Sequence, residues 1–133
     1  MPVQDIQMWK DEGCVVFNGP DEQLLSGLAA GADGGIGGTY AAMPELYLRI
    51  FQLYHEGKTE TAREIQNECC RIIYEMCTSQ GNLYAVLKEI VRINGGPDCG
   101  DVREPLYHLQ EADKPIAASC AEKIQSAINK YCK

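Results

Sequence analysis

Two short strand-like segments separated by a single helix constrain the fold of this chain more than any other feature. The apolar run Cys14-Val15-Val16-Phe17 is rich in β-branched residues and lies between Gly13 and Asn18-Gly19-Pro20, which predicts a buried strand. Residues 21–30 predict a short helix, and the glycine-rich stretch at 34–36 predicts a second, very short strand. This order predicts one parallel βαβ unit. Because parallel strands are normally covered on both faces, which two strands alone achieve poorly, the pattern indicates a piece of a larger α/β fold.

The rest of the chain is predicted to be helical, apart from a loop over residues 94–110. An amino-terminal helix is expected over Val3–Asp11, and further helices are expected over 44–56, from Thr59, after Gly81 and from Asp113. Thr59 and Asp113 are candidate N-caps. The apolar positions at helical spacing are Leu46, Ile50, Leu53 and Tyr54, then Ala62, Ile65, Cys69, Ile72, Ile73 and Met76, then Leu83, Val86, Leu87, Ile90 and Val91, and finally Ile116, Cys120, Ile124, Ile128 and Tyr131. This period predicts amphipathic helices that pack on a common core.

The composition argues against several classes of function. The net charge of −7 is unfavourable for binding nucleic acid or an anionic membrane surface, since both need clustered Lys and Arg. No segment resembles a signal peptide or approaches the ~18 apolar residues of a membrane span, so we expect a cytoplasmic protein. The seven cysteines include no C-x-x-C pair, so no metal site is expected and the thiols are interpreted as reduced packing residues.

Two segments are candidates to carry chemistry, because ligands of parallel α/β folds bind at the carboxyl ends of strands. In the first, residues 17–22, Asp21 and Glu22 offer acceptors to a polyhydroxylated ligand, or are simply acids favoured in the first turn of a helix. In the second, residues 34–40, glycine amides offer an anion-binding turn, or merely a tight connection. His55, His108 and Lys88 are interpreted as surface or packing residues, and Arg103 as a candidate partner for a carboxylate.

Taken together, these segments resemble the N-acetylneuraminate lyases, in the class I aldolase superfamily that also contains dihydrodipicolinate synthase. The resemblance is carried by Val16-Phe17-Asn18-Gly19-Pro20-Asp21-Glu22, by the run over residues 26–37, by Thr39-Tyr40 and by Val102-Arg103-x-Pro105-Leu106. It implies a fragment of a (β/α)8 TIM barrel, whose seventh and eighth strands are the two predicted here. Residues 1–57 would be the last β/α units and residues 58–133 a carboxyl-terminal helical extension, together forming one compact unit.

The resemblance also implies a reaction and a set of site residues. The family cleaves sialic acid reversibly to pyruvate and N-acetylmannosamine through a lysine Schiff base, without a metal or organic cofactor. Gly19, Asp21 and Glu22 match positions that line the sugar end of the site, and Gly37 matches a position whose backbone lies beside the substrate. Gly38 stands where the family usually has serine, so an aldolase for another 2-keto acid stays open.

The catalytic residues of the family match no position in this chain. The Schiff-base lysine lies on the sixth barrel strand, upstream of the segment matching residues 2–6, and the tyrosine lies on the fifth strand. We therefore expect no lyase activity from the chain alone. Because open strand edges and a half-covered sheet expose hydrogen-bonding groups and apolar surface, a homo-oligomer is expected. A non-catalytic helical interaction module and a weak sugar-acid binding module are the alternatives.

Overall fold

The computed structural model describes residues 2–133, and its elements follow the predicted order. The helices are α1 Val3–Asp11, α2 Leu24–Ala29, α3 Pro44–His55, α4 Thr59–Met76, α5 Leu83–Ile93 and α6 Lys114–Tyr131, the strands are β1 Phe17–Asn18 and β2 Gly34–Gly35, and 3-10 turns span Asp21–Gln23, Gly38–Ala41 and Glu111–Asp113. Two short strands followed by a mostly helical region were predicted, and this architecture is confirmed. No helix within residues 2–133 has the length and apolar character required to cross a bilayer.

The two strands pair in parallel, as the βαβ pattern predicted. Phe17 pairs with Gly34 and Asn18 with Gly35. The prediction of a buried strand over 14–17 was wrong in its position and only partly right in its burial, since Val15 is 72% exposed and Phe17 48% exposed. Successive side chains of a strand point to opposite faces, and the alternate residues Val16 and Asn18 are buried.

Helix α2 approaches β1 closely because Gly27 has no side chain. A β-carbon at Gly27 would lie 2.5 Å from the side-chain oxygen of Asn18, which is fully buried. The Asn18 side-chain amide donates to the carbonyl oxygen of Pro20 at 2.7 Å. This bond turns the chain directly after β1 and so fixes the path of the segment that leaves the strand.

The predicted helical faces form the core. All six predicted positions of α4 are buried, and the core cluster runs without interruption from Leu24 to Ala127. A smaller cluster of Ile6, Val16 and Ala32 joins α1 to the strands. Each fully buried aliphatic side chain contributes roughly 1.5–3 kcal/mol of hydrophobic stabilisation, so the helices supply most of the stability. The seven cysteines are all free; Cys69 and Cys120 lie in this core, whereas Cys77 and Cys99 are exposed.

Both predicted N-caps were wrong. Thr59 is already the first residue of α4, and Lys58 precedes it without a side-chain capping bond. Asp113 has helical dihedral angles (φ −87°, ψ −18°), whereas a capping side chain needs an extended backbone to reach back to the first turn. A side-chain cap is observed at Asn82, whose oxygen accepts from the Tyr84 amide at 2.9 Å at the start of α5, and Gln110 and Asp113 form a capping box at the 3-10 turn that precedes α6.

Asp113 instead joins two chain segments through one buried carboxylate. It accepts backbone N–H groups from Gln80 at 2.8 Å, Gly81 at 2.9 Å and Gln110 at 3.0 Å. Burial by itself would raise the pKa of Asp113, but these three donors stabilise the anion and leave the pKa below its ordinary value. The carboxylate therefore fixes the loop before α5 against the start of α6.

We expect the stability of the chain to fall as Asp113 becomes protonated. The folded-state pKa lies below the ordinary 3.8, so the stabilisation is complete at neutral pH and is lost as the pH falls from 3.8 through the folded-state value. Replacing Asp113 with Ala should lower the free energy of unfolding by on the order of 1–3 kcal/mol at pH 7, because buried donors lose their acceptor. Urea unfolding at several pH values measures both effects. Asp11→Asn, at an exposed carboxylate, serves as the control. Asp113→Asn removes only the charge; if it left the unfolding midpoint and its pH dependence unchanged, the ionised Asp113 carboxylate would not stabilise the fold.

Candidate functional site

A cavity of about 350 Å³ opens where the chain turns after each of the two strands. Its lining residues are Gly19, Pro20, Asp21, Glu22, Ile36, Gly37, Gly38, Thr39, Ile73, Leu83 and Tyr84. All five residues singled out from the sequence are among them, and they come from the two segments predicted to carry chemistry. The cavity thus lies at the carboxyl ends of the parallel strands, where α/β folds place their ligands.

A buried chain of hydrogen bonds ties the two turns together. Asp21 Oδ2 accepts the backbone N–H of Thr39 at 2.7 Å and its hydroxyl at 2.5 Å. Since the Thr39 proton is directed at Asp21, the hydroxyl of Tyr47, 2.8 Å away, must donate to Thr39 Oγ1. Burial raises the pKa of Tyr47, which keeps that proton in place. The order of donation is therefore Tyr47 to Thr39 to Asp21.

The two neighbouring acids of the first turn have different environments. Asp21 is only 7% exposed, and its carboxylate is occupied by Thr39. Glu22 is exposed, and within residues 2–133 its carboxylate has no hydrogen-bond donor. Glu22 is consequently the acid available to accept a hydrogen bond from a ligand, whereas Asp21 holds the wall of the cavity in shape.

The three glycines of the cavity also differ in what surrounds them. A β-carbon at Gly37 would lie 1.5 Å from Asp21 Oδ1, so no side chain fits there. One at Gly38 would meet the ring of Tyr84, and one at Gly19 would meet nothing within 4 Å among the described residues. Gly37 is therefore required by the fold of the site itself, and Gly19 leaves open space on the cavity side.

Six lining residues were missed as candidate site residues in the sequence; Pro20, Ile36 and Thr39 lie inside the two candidate segments, and the other three lie outside them. Thr39 was noted only as part of a motif, yet its hydroxyl and amide hold Asp21. Ile73, Leu83 and Tyr84 come from α4 and α5, well beyond both glycine-rich segments. Nothing in a single sequence indicates which helix ends close a cavity built on distant strands, although the Asn82 cap does indicate where α5 begins.

The remaining candidates lie away from the cavity. His108 lies on the surface, where its Nδ1 is 2.9 Å from Asp101 and its Nε2 is 3.0 Å from Glu104. These two carboxylates, Glu104 first, raise the pKa of His108. Lys88 donates to two backbone carbonyls of the 94–110 loop, and no ion pair of Arg103 occurs in the part of the chain described. His108 and Arg103 are surface residues of the 94–110 loop, and Lys88 is a residue of α5 that contacts this loop.

Comparison with known proteins gives a consistent result. A model of the dihydrodipicolinate synthetase family matches residues 2–124. N-acetylneuraminate lyase of Mediterraneibacter gnavus is 51% identical over 98% of this chain, which covers 42% of that relative. The solved structure of wild-type Ruminococcus gnavus sialic acid aldolase superposes with a TM-score of 0.95 at 51% identity, over 98% of this chain and 44% of that one. The chain belongs to the dihydrodipicolinate synthetase family.

A more distant relative supports the same family fold. The structure of N-acetylneuraminate lyase from Fusobacterium nucleatum complexed with pyruvate superposes with a TM-score of 0.71 at 26% identity, over 98% of this chain and 41% of that one. The resemblance inferred from the sequence is therefore confirmed, and the two strands and the helices are a fragment of a TIM-barrel aldolase. The chain spans less than half the length of these relatives, and it matches their carboxyl-terminal part.

We expect Gly37→Ala to destabilise the chain and Gly19→Ala to have little effect. The first substitution forces a methyl group onto the Asp21 carboxylate and should cost about 1–3 kcal/mol of unfolding free energy, as overpacking usually does. The second adds a methyl group to open space and provides a matched control in the other segment that lines the same cavity. Urea unfolding of both variants measures the difference. Equal midpoints would show that Gly37 and Asp21 are not packed as described.

Proposed function

We propose that residues 2–133 form the carboxyl-terminal part of a Schiff-base-forming lyase that cleaves N-acetylneuraminate to pyruvate and N-acetylmannosamine. In this proposal Gly19, Asp21, Glu22, Gly37 and Gly38 build the wall around the sugar end of the substrate. The observation that carries it is the convergence of these five family-matched positions on one cavity at the carboxyl ends of the strands. The 51% identity to the Mediterraneibacter gnavus lyase supports the same choice of reaction.

The chemistry of the cavity suits the neutral, hydroxylated part of such a substrate. Sugar hydroxyls need acceptors, and the free Glu22 carboxylate supplies one on an exposed position. The glycine turn allows a ligand to approach the backbone closely, since Gly19 carries no obstructing side chain. Within residues 2–133 no cationic side chain lines the cavity, so the keto acid carboxylate would be bound by another part of the barrel.

The Schiff-base amine is also proposed to come from outside this chain. No lysine lines the cavity within the described residues. Six of the seven lysines are engaged elsewhere: Lys10 with Asp33, Lys58 with Glu56, Lys88 with loop carbonyls, Lys114 with Glu111, Lys123 with Glu75 and Lys130 with Tyr131. The seventh, Lys133, is exposed after α6 and does not line the cavity. A lysine in an ion pair or hydrogen bond at a distant surface is not available for attack on a ketone bound here.

The exposed side chains beside the strands support a larger barrel. Val15 and Phe17 are largely exposed at β1, and Ile36 is 68% exposed just after β2. Further strands would cover such apolar side chains in a closed parallel barrel. We assign residues 1–57 to the last units of that barrel and residues 58–133 to its helical extension, although Met1 lies outside the described residues. The continuous core on both sides of residue 57 supports one compact unit.

The same exposed side chains favour a second candidate function, a non-catalytic module that associates through this face. Without the other strands, Val15, Phe17 and Ile36 would be buried only by a second copy or another protein. Sedimentation of the pure chain at micromolar concentration distinguishes the cases: an oligomer is expected for the module, and a monomer would remove this candidate.

We expect a chimera to regain the chemistry that this chain lacks. The chimera joins the amino-terminal part of the Mediterraneibacter gnavus lyase to this chain, so that the relative supplies the remaining barrel. Incubation with pyruvate and borohydride should give a covalent adduct, seen by intact-mass spectrometry, on the chimera and not on the 133-residue chain. Cleavage of N-acetylneuraminate should follow the same pattern.

Each outcome of that experiment has a definite meaning. An adduct on the 133-residue chain would overturn the proposal that the reactive lysine lies elsewhere. A folded chimera that forms the adduct but cleaves only another 2-keto acid would overturn the substrate assignment. The change in substrate specificity would then be assigned to the part of the cavity around Gly38. A folded chimera with neither adduct nor cleavage would overturn the proposed function.

In the active chimera, Glu22→Gln should weaken binding at the sugar end without preventing adduct formation. Losing a charged hydrogen-bond acceptor costs about 1.5–3 kcal/mol, so KM for N-acetylmannosamine in the condensation direction should rise roughly tenfold or more. Pyruvate adduct formation should be unchanged, because the keto acid binds at the other end. Glu12→Gln, an exposed acid of the loop after α1, is the control. An unaltered KM would remove Glu22 from the binding wall.

A further inference from the structure

The ring of Tyr84 occupies the space that a side chain at position 38 would need. A β-carbon at Gly38 would lie 2.6 Å from Tyr84 Cε1 and 3.3 Å from its hydroxyl oxygen. Carbon atoms in contact are normally about 3.5–4.0 Å apart, so the ring and a position-38 side chain exclude each other as the structure stands. The serine that the lyases usually carry at this position is thus incompatible with Tyr84 where it lies.

Tyr84 is held at this place by the first turn of α5. Its backbone N–H is capped by Asn82, and the Asn82 N–H donates in turn to the carbonyl of Tyr107 at 2.9 Å. The preceding residue, Gly81, is bound by the buried Asp113 carboxylate. The backbone of the tyrosine is therefore fixed by the helix and by the loop anchored on Asp113, although the residue is 48% exposed.

The hydroxyl of Tyr84 is free to bind a ligand. Among residues 2–133 it has no hydrogen-bond partner, and Tyr84 lines the same cavity as Glu22. Because it stands 3.3 Å from the β-carbon position of residue 38, it lies in the part of the cavity that a serine hydroxyl would reach. A phenol can both donate and accept a hydrogen bond, as a serine hydroxyl can.

We propose that Tyr84 is a specificity-determining residue that replaces the missing serine hydroxyl, and that it binds the polyhydroxylated tail of a long sugar acid from the α5 side. This rests on the proposed function, which places the sugar end of the substrate in the cavity. In this arrangement Gly38 does not mark a loss of sugar recognition. It makes room for an aromatic ring that brings the hydroxyl from the helical extension instead of from the strand turn.

The steric part of the proposal can be tested on the 133-residue chain itself. Gly38→Ser should displace the ring of Tyr84, so the ring signals of Tyr84 in a spectrum of 13C-tyrosine-labelled chain should shift. Gly19→Ala, which adds a methyl group where no described atom lies within 4 Å, should leave them in place. Unchanged Tyr84 signals in Gly38→Ser would overturn the proposal, whatever the activity of any longer protein.

The substrate part is tested in the chimera. Tyr84→Phe removes only the hydroxyl and should raise KM for N-acetylneuraminate roughly 2- to 10-fold, the range expected for one hydrogen bond. The shorter 2-keto-3-deoxygluconate lacks the long tail and should show no change, and Tyr74→Phe, at an exposed tyrosine of α4 outside the cavity, should match the parent for both substrates.

The two possible failures are distinguishable. A parent chimera without a pyruvate adduct would refute the proposed function before Tyr84 is altered. An active parent chimera in which Tyr84→Phe leaves KM for N-acetylneuraminate unchanged would overturn the role of the hydroxyl alone. Equal losses for the long and the short acid would show that Tyr84 shapes the cavity generally and does not bind the tail.

Discussion

The candidate site depends on the two hydrogen bonds that Thr39 donates to the buried Asp21 carboxylate. The strands are joined by only two residue pairs, so the ladder alone does little to fix the turns that leave them. Asp21 and Thr39 lie in the turns after β1 and β2, and their two hydrogen bonds set the distance between those turns. A carboxylate is costly to bury without donors. The bonds that compensate for its burial are therefore the same ones that give the cavity its shape.

The helical region takes part in this arrangement. The Gln66 side chain of α4 donates to the carbonyl of Asp21 and accepts the N–H of Leu25, so it binds the turn after β1 from both sides. Asp113 positions the start of α5, and with it Tyr84, through the preceding loop. Residues beyond position 57 thus hold both the acidic wall and the aromatic wall of the cavity. A helical extension that merely covered the barrel would not need polar side chains directed at these turns.

The sequence predicted those features that depend on residues near one another in the chain, and it missed those that depend on contacts between distant residues. The apolar face of α4 was predicted residue by residue, because a helical period requires only neighbouring residues and a core to pack against. The burial predicted for residues 14–17 was only partly right, because Val15 and Phe17 are as apolar as residues of a buried strand and their exposure reflects which neighbours are present. The five cavity residues came from a family match, and the contact of Tyr84 with Gly38 spans 46 positions and two intervening helices, a relation that no local pattern encodes.

Asp21 and Glu22 show why matched motif residues need separate physical treatment. They are adjacent acids in one family motif, and from the sequence both were candidates to bind a ligand. In the structure one carboxylate is saturated by Thr39 and packed against Gly37, whereas the other faces open space. A ligand hydroxyl would have to displace Thr39 to reach the bonded oxygen of Asp21, but it meets Glu22 without any rearrangement. Under the proposed function, recognition at this wall would fall to Glu22 and to the Tyr84 hydroxyl, and Asp21 would act on the ligand only by keeping the two turns where they are.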